Sequence, residues 1–217
     1  MRAAGGYCAA VSESVKRSIA GCLSCLVCLM LLAGLAHGSG SLERLDAEAL
    51  SGLSAPAGSA AAAIAAPVMH CADLLPLLIL LALACGLALR SGRRRAALAA
   101  LVLVAGANLT TQLLKAALAH PRYESILGYR QIGPTSFPSG HATAALSIAL
   151  AFVLTAPRSR RPLTALVGAI FAVAVGCSVL VLNRHFPSDV LGGWLVAGAW
   201  FFAVLAGLFA VSPDLPK

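Results

Sequence analysis

The chain has 217 residues and a formal net charge of +8, with 59% of its residues hydrophobic and 11% charged. A mean hydropathy of +0.89 goes with a charged fraction well below the roughly one quarter typical of soluble domains, which excludes an ordinary water-soluble protein and indicates an integral membrane one. The positive balance reads as topology and attraction to anionic lipid head groups, and no nucleic-acid motif accompanies it.

Runs of about 20 apolar residues cross the hydrocarbon core as helices. By that criterion about six spans are expected, at 18–36, 72–89, 96–118, 139–156, 163–182 and 189–211. The expected architecture is an all-α, polytopic helical bundle. Residues 1–17 form an N-terminal segment, 18–71 the first span and an outer loop, 72–211 the main transmembrane domain and 212–217 a tail. The first span has an alternative reading as a signal peptide, because a basic stretch precedes it and Gly34 and Ala36 offer a small-residue cleavage site.

Cytoplasmic flanks are enriched in Lys and Arg. Arg2, Lys16 and Arg17 precede the first span, Arg90 and Arg93 to Arg95 separate the second from the third, Arg158, Arg160 and Arg161 separate the fourth from the fifth, and Lys217 ends the chain. All fall on one side, so both termini are expected in the cytoplasm. The loops 37–71, 119–138 and 183–188, with fewer basic residues, are expected outside.

Of the seven cysteines, Cys22, Cys25 and Cys28 recur every third residue within the first span, and Cys85 and Cys177 also lie in apolar runs. No His or acid stands near the first three, so packing as small hydrophobes is the better reading than zinc. Cys71 is expected near the outer surface. In 37–71, Leu42, Leu45, Ala49 and Leu53 have the spacing of a short interfacial helix, with a bland linker as the equal alternative. Ser, Ala, Gly and Pro dominate from there through Pro67.

The third span carries a polar stripe, Asn108, Thr111, Gln112 and Lys115, at helical spacing. Polar residues within spans generally face the bundle interior or water, although Lys115 alone also reads as a side chain snorkelling to the interface.

Two polar stretches each stand before an apolar run: Pro138-Ser139-Gly140-His141 and His185-Phe186-Pro187-Ser188-Asp189. Proline is favoured in the first helical turn, so Pro138 and Pro187 are predicted to open helices. The unpaired amides and macrodipole at such starts attract phosphate and other oxyanions. A histidine at each of two such starts, facing one compartment, is more than a pair of wet polar residues. His120 acquires no role, and Ser188 reads as a helix-start residue. Gly192 and Gly193 read as packing residues that let helices approach closely.

Lys115, Arg122 seven residues later, the Pro-Ser-Gly-His stretch, and then His185 with Asp189 resemble, in order and spacing, the three-part signature of the type 2 phosphatidic acid phosphatase family, whose site is shared with vanadium haloperoxidases. The resemblance spans roughly residues 70 to 211. It implies the phosphatidic acid phosphatase type 2/haloperoxidase-like fold and a phosphatase whose nucleophile is His185, giving a phosphohistidine that water hydrolyses. His141 becomes the proton donor to the leaving group. Asp189, the only acid close to His185 in sequence, would fix its tautomer as the aspartate of a serine-protease triad does. Lys115, Arg122, Ser139 and Gly140 would hold the phosphate.

Two departures stand out. Pro121 precedes Arg122 and Tyr123 follows it, where the family has a proline after the arginine. Six residues before the second histidine, where the family usually has an arginine, stands Val179. Asn183, Arg184 and Arg130 are the candidate substitutes. Asn183 lies four residues beyond Val179 and would share its face if the helix continued.

The expected function is hydrolysis of a lipid phosphomonoester or diphosphate, such as phosphatidate, phosphatidylglycerophosphate or undecaprenyl diphosphate, at the outer face of a bacterial inner membrane. No cofactor and no metal are expected, because no cluster of acids suits Mg²⁺. The partners are the bilayer and its lipid phosphates, with no nucleic acid. The alternatives are a catalytically weak relative that binds lipid phosphates, and a transporter or structural subunit using Lys115 and Asp189 as buried charges.

Overall fold

The computed structural model describes residues 2–119 and 132–211, the first nine as backbone alone. Arg122, Tyr123 and Arg130, as well as His120, fall outside the described residues.

Among the described residues eight α-helices follow in order: α1 (Arg2–Gly38), α2 (Gly40–Leu53), α3 (Ala60–His70), α4 (Leu74–Arg90), α5 (Arg94–Ala117), α6 (Gly140–Thr155), α7 (Arg161–Val181) and α8 (Pro187–Val211), with a short 3₁₀ turn at Arg158–Arg160 before α7. Among the described residues four segments are long and apolar enough to cross a membrane: Val11–Gly38, Arg94–Ala117, Arg158–Val181 and Pro187–Val211. Helices α3 and α4 make a fifth only as a pair bent by 50°. The expected span at 72–89 is therefore α4 with α3 leading into it, and the expected span at 139–156 is the 16-residue α6.

The short α6 is the centre of the bundle. At 1.5 Å per residue it reaches about 24 Å, less than the roughly 30 Å hydrocarbon thickness, and it is buried around most of its circumference. Ala145, Ile148, Ala151 and Leu154 join Leu77 and Leu81 of α4, Ala100, Leu103 and Val104 of α5, and Val175 of α7 in the main core. A helix apolar on all sides belongs in such a place. The outer surfaces of α1, α4 and α7 instead expose Leu23, Leu31, Leu78, Leu83, Leu166 and Ile170, as expected of a lipid-facing wall.

Polar side chains knit α5 to its neighbours inside this wall. Asn108 Nδ2 donates to Val104 O at 2.8 Å and to Ser147 Oγ at 3.3 Å. The Thr111 and Thr143 hydroxyls meet at 3.0 Å, and Trp200 Nε1 donates to Thr110 Oγ1 at 3.0 Å. Asn108 and Thr111, half of the predicted stripe, thus serve helix packing. Gln112 and Lys115, the other half, reach a cavity that Asn108 also lines.

Residues 40–70 are more structured than the sequence suggests. Ser39 and Ser59 cap α2 and α3, accepting from Leu42 N and Ala62 N. The linker reading fails for α2, and the predicted stripe is also displaced: Leu45, Ala49 and Leu53 are exposed, while Asp46, Ala47 and Leu50 are buried. The inward face carries an acid because it packs on the polar start of α8, where Ser188 donates its amide to Asp46 Oδ1 at 3.0 Å and its hydroxyl to Asp46 Oδ2. Leu50 packs with Phe186 beside this contact.

Candidate active site

The two polar stretches form one unit. Ser139 is the N-cap of α6, its hydroxyl accepting from Ala142 N at 3.4 Å, and its own amide donates to Asp189 O at 2.9 Å. Pro187 is the first residue of α8, as predicted. Pro138 instead precedes the cap of α6, after a cis Phe137–Pro138 peptide, because Ser139 takes the capping position that satisfies the first amides. The α6 and α8 starts touch directly: a Cβ on Gly193 would lie 2.6 Å from Ser139 O and one on Gly192 2.7 Å from the Phe137 ring. Small residues there have the packing role predicted for them.

His185 stands in the turn before α8 and is 7% exposed, whereas Asp189 is fully buried. The ring Nδ1 lies 3.3 Å from Asp189 Oδ2, which also accepts from Phe186 N at 3.0 Å. An acceptor on Nδ1 places the proton there and leaves Nε2 with its lone pair.

A cavity of about 530 Å³ opens at this point, lined among others by Asp73, Gln112, Lys115, Gly140, His141 and His185. Lys115, half-buried on the last turn of α5, comes close enough to α6 that a Cβ on Gly140 would lie 3.9 Å from its Cε. Helix-start amides at Gly140 and His141 have no intrahelical acceptor, and they sit beside the ammonium group. Ser139 is fully buried behind this surface, with its amide and hydroxyl engaged as above. It shapes the site from the rear, where the sequence suggested direct phosphate contact.

Val179 is fully buried with Met69, Ala142 and Val190, so the position where the family has an arginine is here part of the core. The sharing of a helical face with Asn183 does not arise, since α7 ends at Val181 and Asn183 has φ of 55°. Arg184 is exposed, and neither residue lines the cavity. Of the three candidate substitutes, Arg130 falls outside the described residues.

Three residues that sequence reasoning passed over belong to the surroundings of the site. Asp46 holds the start of α8, as described. Asp73, the N-cap of α4, makes no side-chain cap; its Oδ1 lies 3.0 Å from His141 Nε2 and its Oδ2 2.8 Å from His70 Nδ1. An aspartate directly before a leucine-rich run was a legible cap signal, but its histidine partners were not.

The sequence model of the PAP2 superfamily matches residues 96–212. Lipid A 1-phosphatase of Rhizobium etli is 32% identical over 123 residues, covering 49% of this chain and 50% of that protein. Lipid A 1-phosphatase of Rhizobium johnstonii is 38% identical over 86 residues, 36% of this chain and 33% of the relative. The chain thus spans half or less of the length of these relatives. An undecaprenyl-diphosphatase of Sulfolobus acidocaldarius is 38% identical over 65 residues, 30% of this chain and 29% of that one. In fold the chain resembles the crystal structure of the transmembrane PAP2-type phosphatidylglycerolphosphate phosphatase from Bacillus subtilis, with a TM-score of 0.73 at 21% identity over 90% of this chain and 98% of the other. With more than half of its length matched by the family model, the chain belongs to the PAP2 superfamily, the type 2 phosphatidic acid phosphatases.

Proposed function

We propose that this protein is an integral membrane phosphatase that removes phosphate from a lipid phosphomonoester or diphosphate through a phosphohistidine on His185. The observation that carries this reading is the buried His185–Asp189 pair at 3.3 Å, whose histidine lines one cavity with Lys115 and His141. Neutral imidazole attacks phosphorus through Nε2, and Asp189 stabilises the imidazolium as positive charge develops on the ring. Lys115 and the first amides of α6 balance the charge on the phosphate oxygens, together with Arg122 from the segment after α5.

As the P–N bond forms, the bond to the leaving oxygen breaks and that oxygen takes a proton from His141. Water then attacks phosphorus and gives His141 a proton, and the P–N electron pair returns to His185. Phosphate leaves with both histidines restored, and no step calls for a metal ion. Among the described residues there is no group of three or more His, Cys, Asp or Glu placed to hold one.

The substrate class is supported by the relatives, which are named for action on lipid A and undecaprenyl diphosphate, and by the cavity wall, where Leu74 and Leu109 stand beside the polar groups. A head group enters the polar end while its acyl or prenyl chain stays in the bilayer. Phosphatidate, phosphatidylglycerophosphate, undecaprenyl diphosphate and lipid A bearing a 1-phosphate form the test panel. Purified protein in detergent should release phosphate from at least one, and His185→Ala should abolish that release. No release from any lipid by the wild type would overturn the enzymatic reading. It would favour a lipid-phosphate-binding relative, which Val179 in the core, at the position of the family's arginine, already supports.

A further inference from the structure

His141 has a carboxylate partner of its own. We propose that Asp73 is a positioning residue for His141 and that His70 in turn holds Asp73, so that the acid, like the nucleophile, works as a histidine–aspartate pair. The proposal rests on the functional reading above, in which His141 protonates the leaving oxygen.

The geometry is a bridge. Asp73 sits between the end of α3 and the start of α4, with Oδ1 3.0 Å from His141 Nε2 and Oδ2 2.8 Å from His70 Nδ1. Both carboxylate oxygens are therefore committed to imidazole nitrogens, and the α4 cap goes without a side-chain bond. Side-chain exposure rises along the line, from 29% at His141 through 43% at Asp73 to 61% at His70.

Anchoring Nε2 sets the ring plane of His141 and leaves Nδ1 for the leaving oxygen. A carboxylate on the far nitrogen also favours the protonated ring, the form an acid needs before transfer. The bend between α3 and α4 thereby acquires a purpose, because it sets Asp73 at the cavity wall with His70 behind it, against a helix more than 60 residues further along the chain.

The contribution of an acid depends on the leaving group. Phosphatidate loses a poor alkoxide and needs the proton; p-nitrophenyl phosphate loses a stable phenolate and hardly does. The ratio kcat/KM reports the steps through P–O cleavage, so hydrolysis of the shared phosphoenzyme does not obscure the comparison. Asp73→Asn keeps the size and shape of the side chain while removing its charge. It should lower kcat/KM for phosphatidate by about ten- to a hundredfold and for p-nitrophenyl phosphate by no more than about twofold. His70→Ala should act in the same direction with a smaller loss.

Equal loss on both substrates, or loss on neither, overturns the orienting role. A selective loss in Asp73→Asn with none in His70→Ala overturns the share given to His70. If Asp73→Asn is not recovered as a monodisperse protein, His70→Ala, a change at an exposed side chain, carries the same comparison: a selective loss on phosphatidate supports the bridge, and equal loss or none overturns it. Where the wild type does not hydrolyse phosphatidate, the panel lipid it does hydrolyse takes its place, and wild type inactive on every panel lipid and on p-nitrophenyl phosphate overturns the phosphatase reading itself, an outcome distinct from the others.

Discussion

At the scale of single residues, His185, the proposed nucleophile, is held by one acceptor used twice. Asp189 Oδ2 takes the ring of His185 and the amide of Phe186, so Asp189→Asn both replaces an acceptor by a donor and disturbs the turn before α8. Loss of phosphatase activity by about 10³-fold or more is expected, by analogy with the wrong tautomer in a serine-protease triad, and steady-state assay on the best lipid substrate checks it. Lys115→Ala should act differently, since an ammonium group that binds the phosphate contributes to ground state and transition state together. KM should rise with kcat little changed, and a fall in kcat alone would assign Lys115 to the transition state only. His185, Asp189, Lys115 and His141 were legible because their spacing repeats a family signature. The contacts of Asp46 with Ser188 and of Asp73 with His141 were not, because they join distant helices and no local pattern announces them, and the role of His70 depends on the second.

At the scale of elements, the apolar runs placed α4, α5, α6, α7 and α8 to within a few residues, since a membrane span advertises itself by composition alone, but for α1 they gave only the end, its start at Arg2 lying well before the expected span at 18–36. Helix α3 was invisible for the opposite reason: its Ala-rich stretch between Ser59 and Pro67 differs too little from a linker, although alanine is the best helix former. For α2 the leucine spacing indicated a face, but burial of Asp46 against Ser188 selected another. That contact makes α2 a brace for the start of α8. Removing it with Asp46→Ala leaves the Ser188 amide and hydroxyl without this buried acceptor, at a cost of about 1–3 kcal/mol, and a lower melting temperature in detergent should follow. The junction of α6 with α8 is tighter still. Gly193→Ala drives a methyl group into Ser139 O, backbone that can move only by separating the two helix starts. Destabilisation of about 1–3 kcal/mol is expected, together with loss of activity, whereas Gly207→Ala meets open space and should leave both unchanged.

At the scale of the whole molecule, the bundle has a chemical end and a basic end. The cavity gathers the last turn of α5 and the starts of α4, α6 and α8, while Arg90 and Arg93 to Arg95 lie at the α4–α5 turn and Arg158, Arg160 and Arg161 at the α6–α7 turn. By the positive-inside rule the basic end is expected in the cytoplasm, and the proposed site would then face outward. Helix α4 offers a ruler for testing this, because its two ends carry exposed positions: Cys71 just before it and Ser91 just after. Its 17 residues separate them by about 26 Å, close to the thickness of the hydrocarbon core. In spheroplasts, a membrane-impermeant maleimide should label a variant that keeps Cys71 as its sole cysteine. A variant whose sole cysteine comes from Ser91→Cys should react only after permeabilisation. The reverse pattern would put the site in the cytoplasm and require the arginines to face outward against the positive-inside rule. Labelling at both positions before permeabilisation would show that α4 does not cross the membrane, and the bent pair with α3 would then be a re-entrant element lining the site from one side.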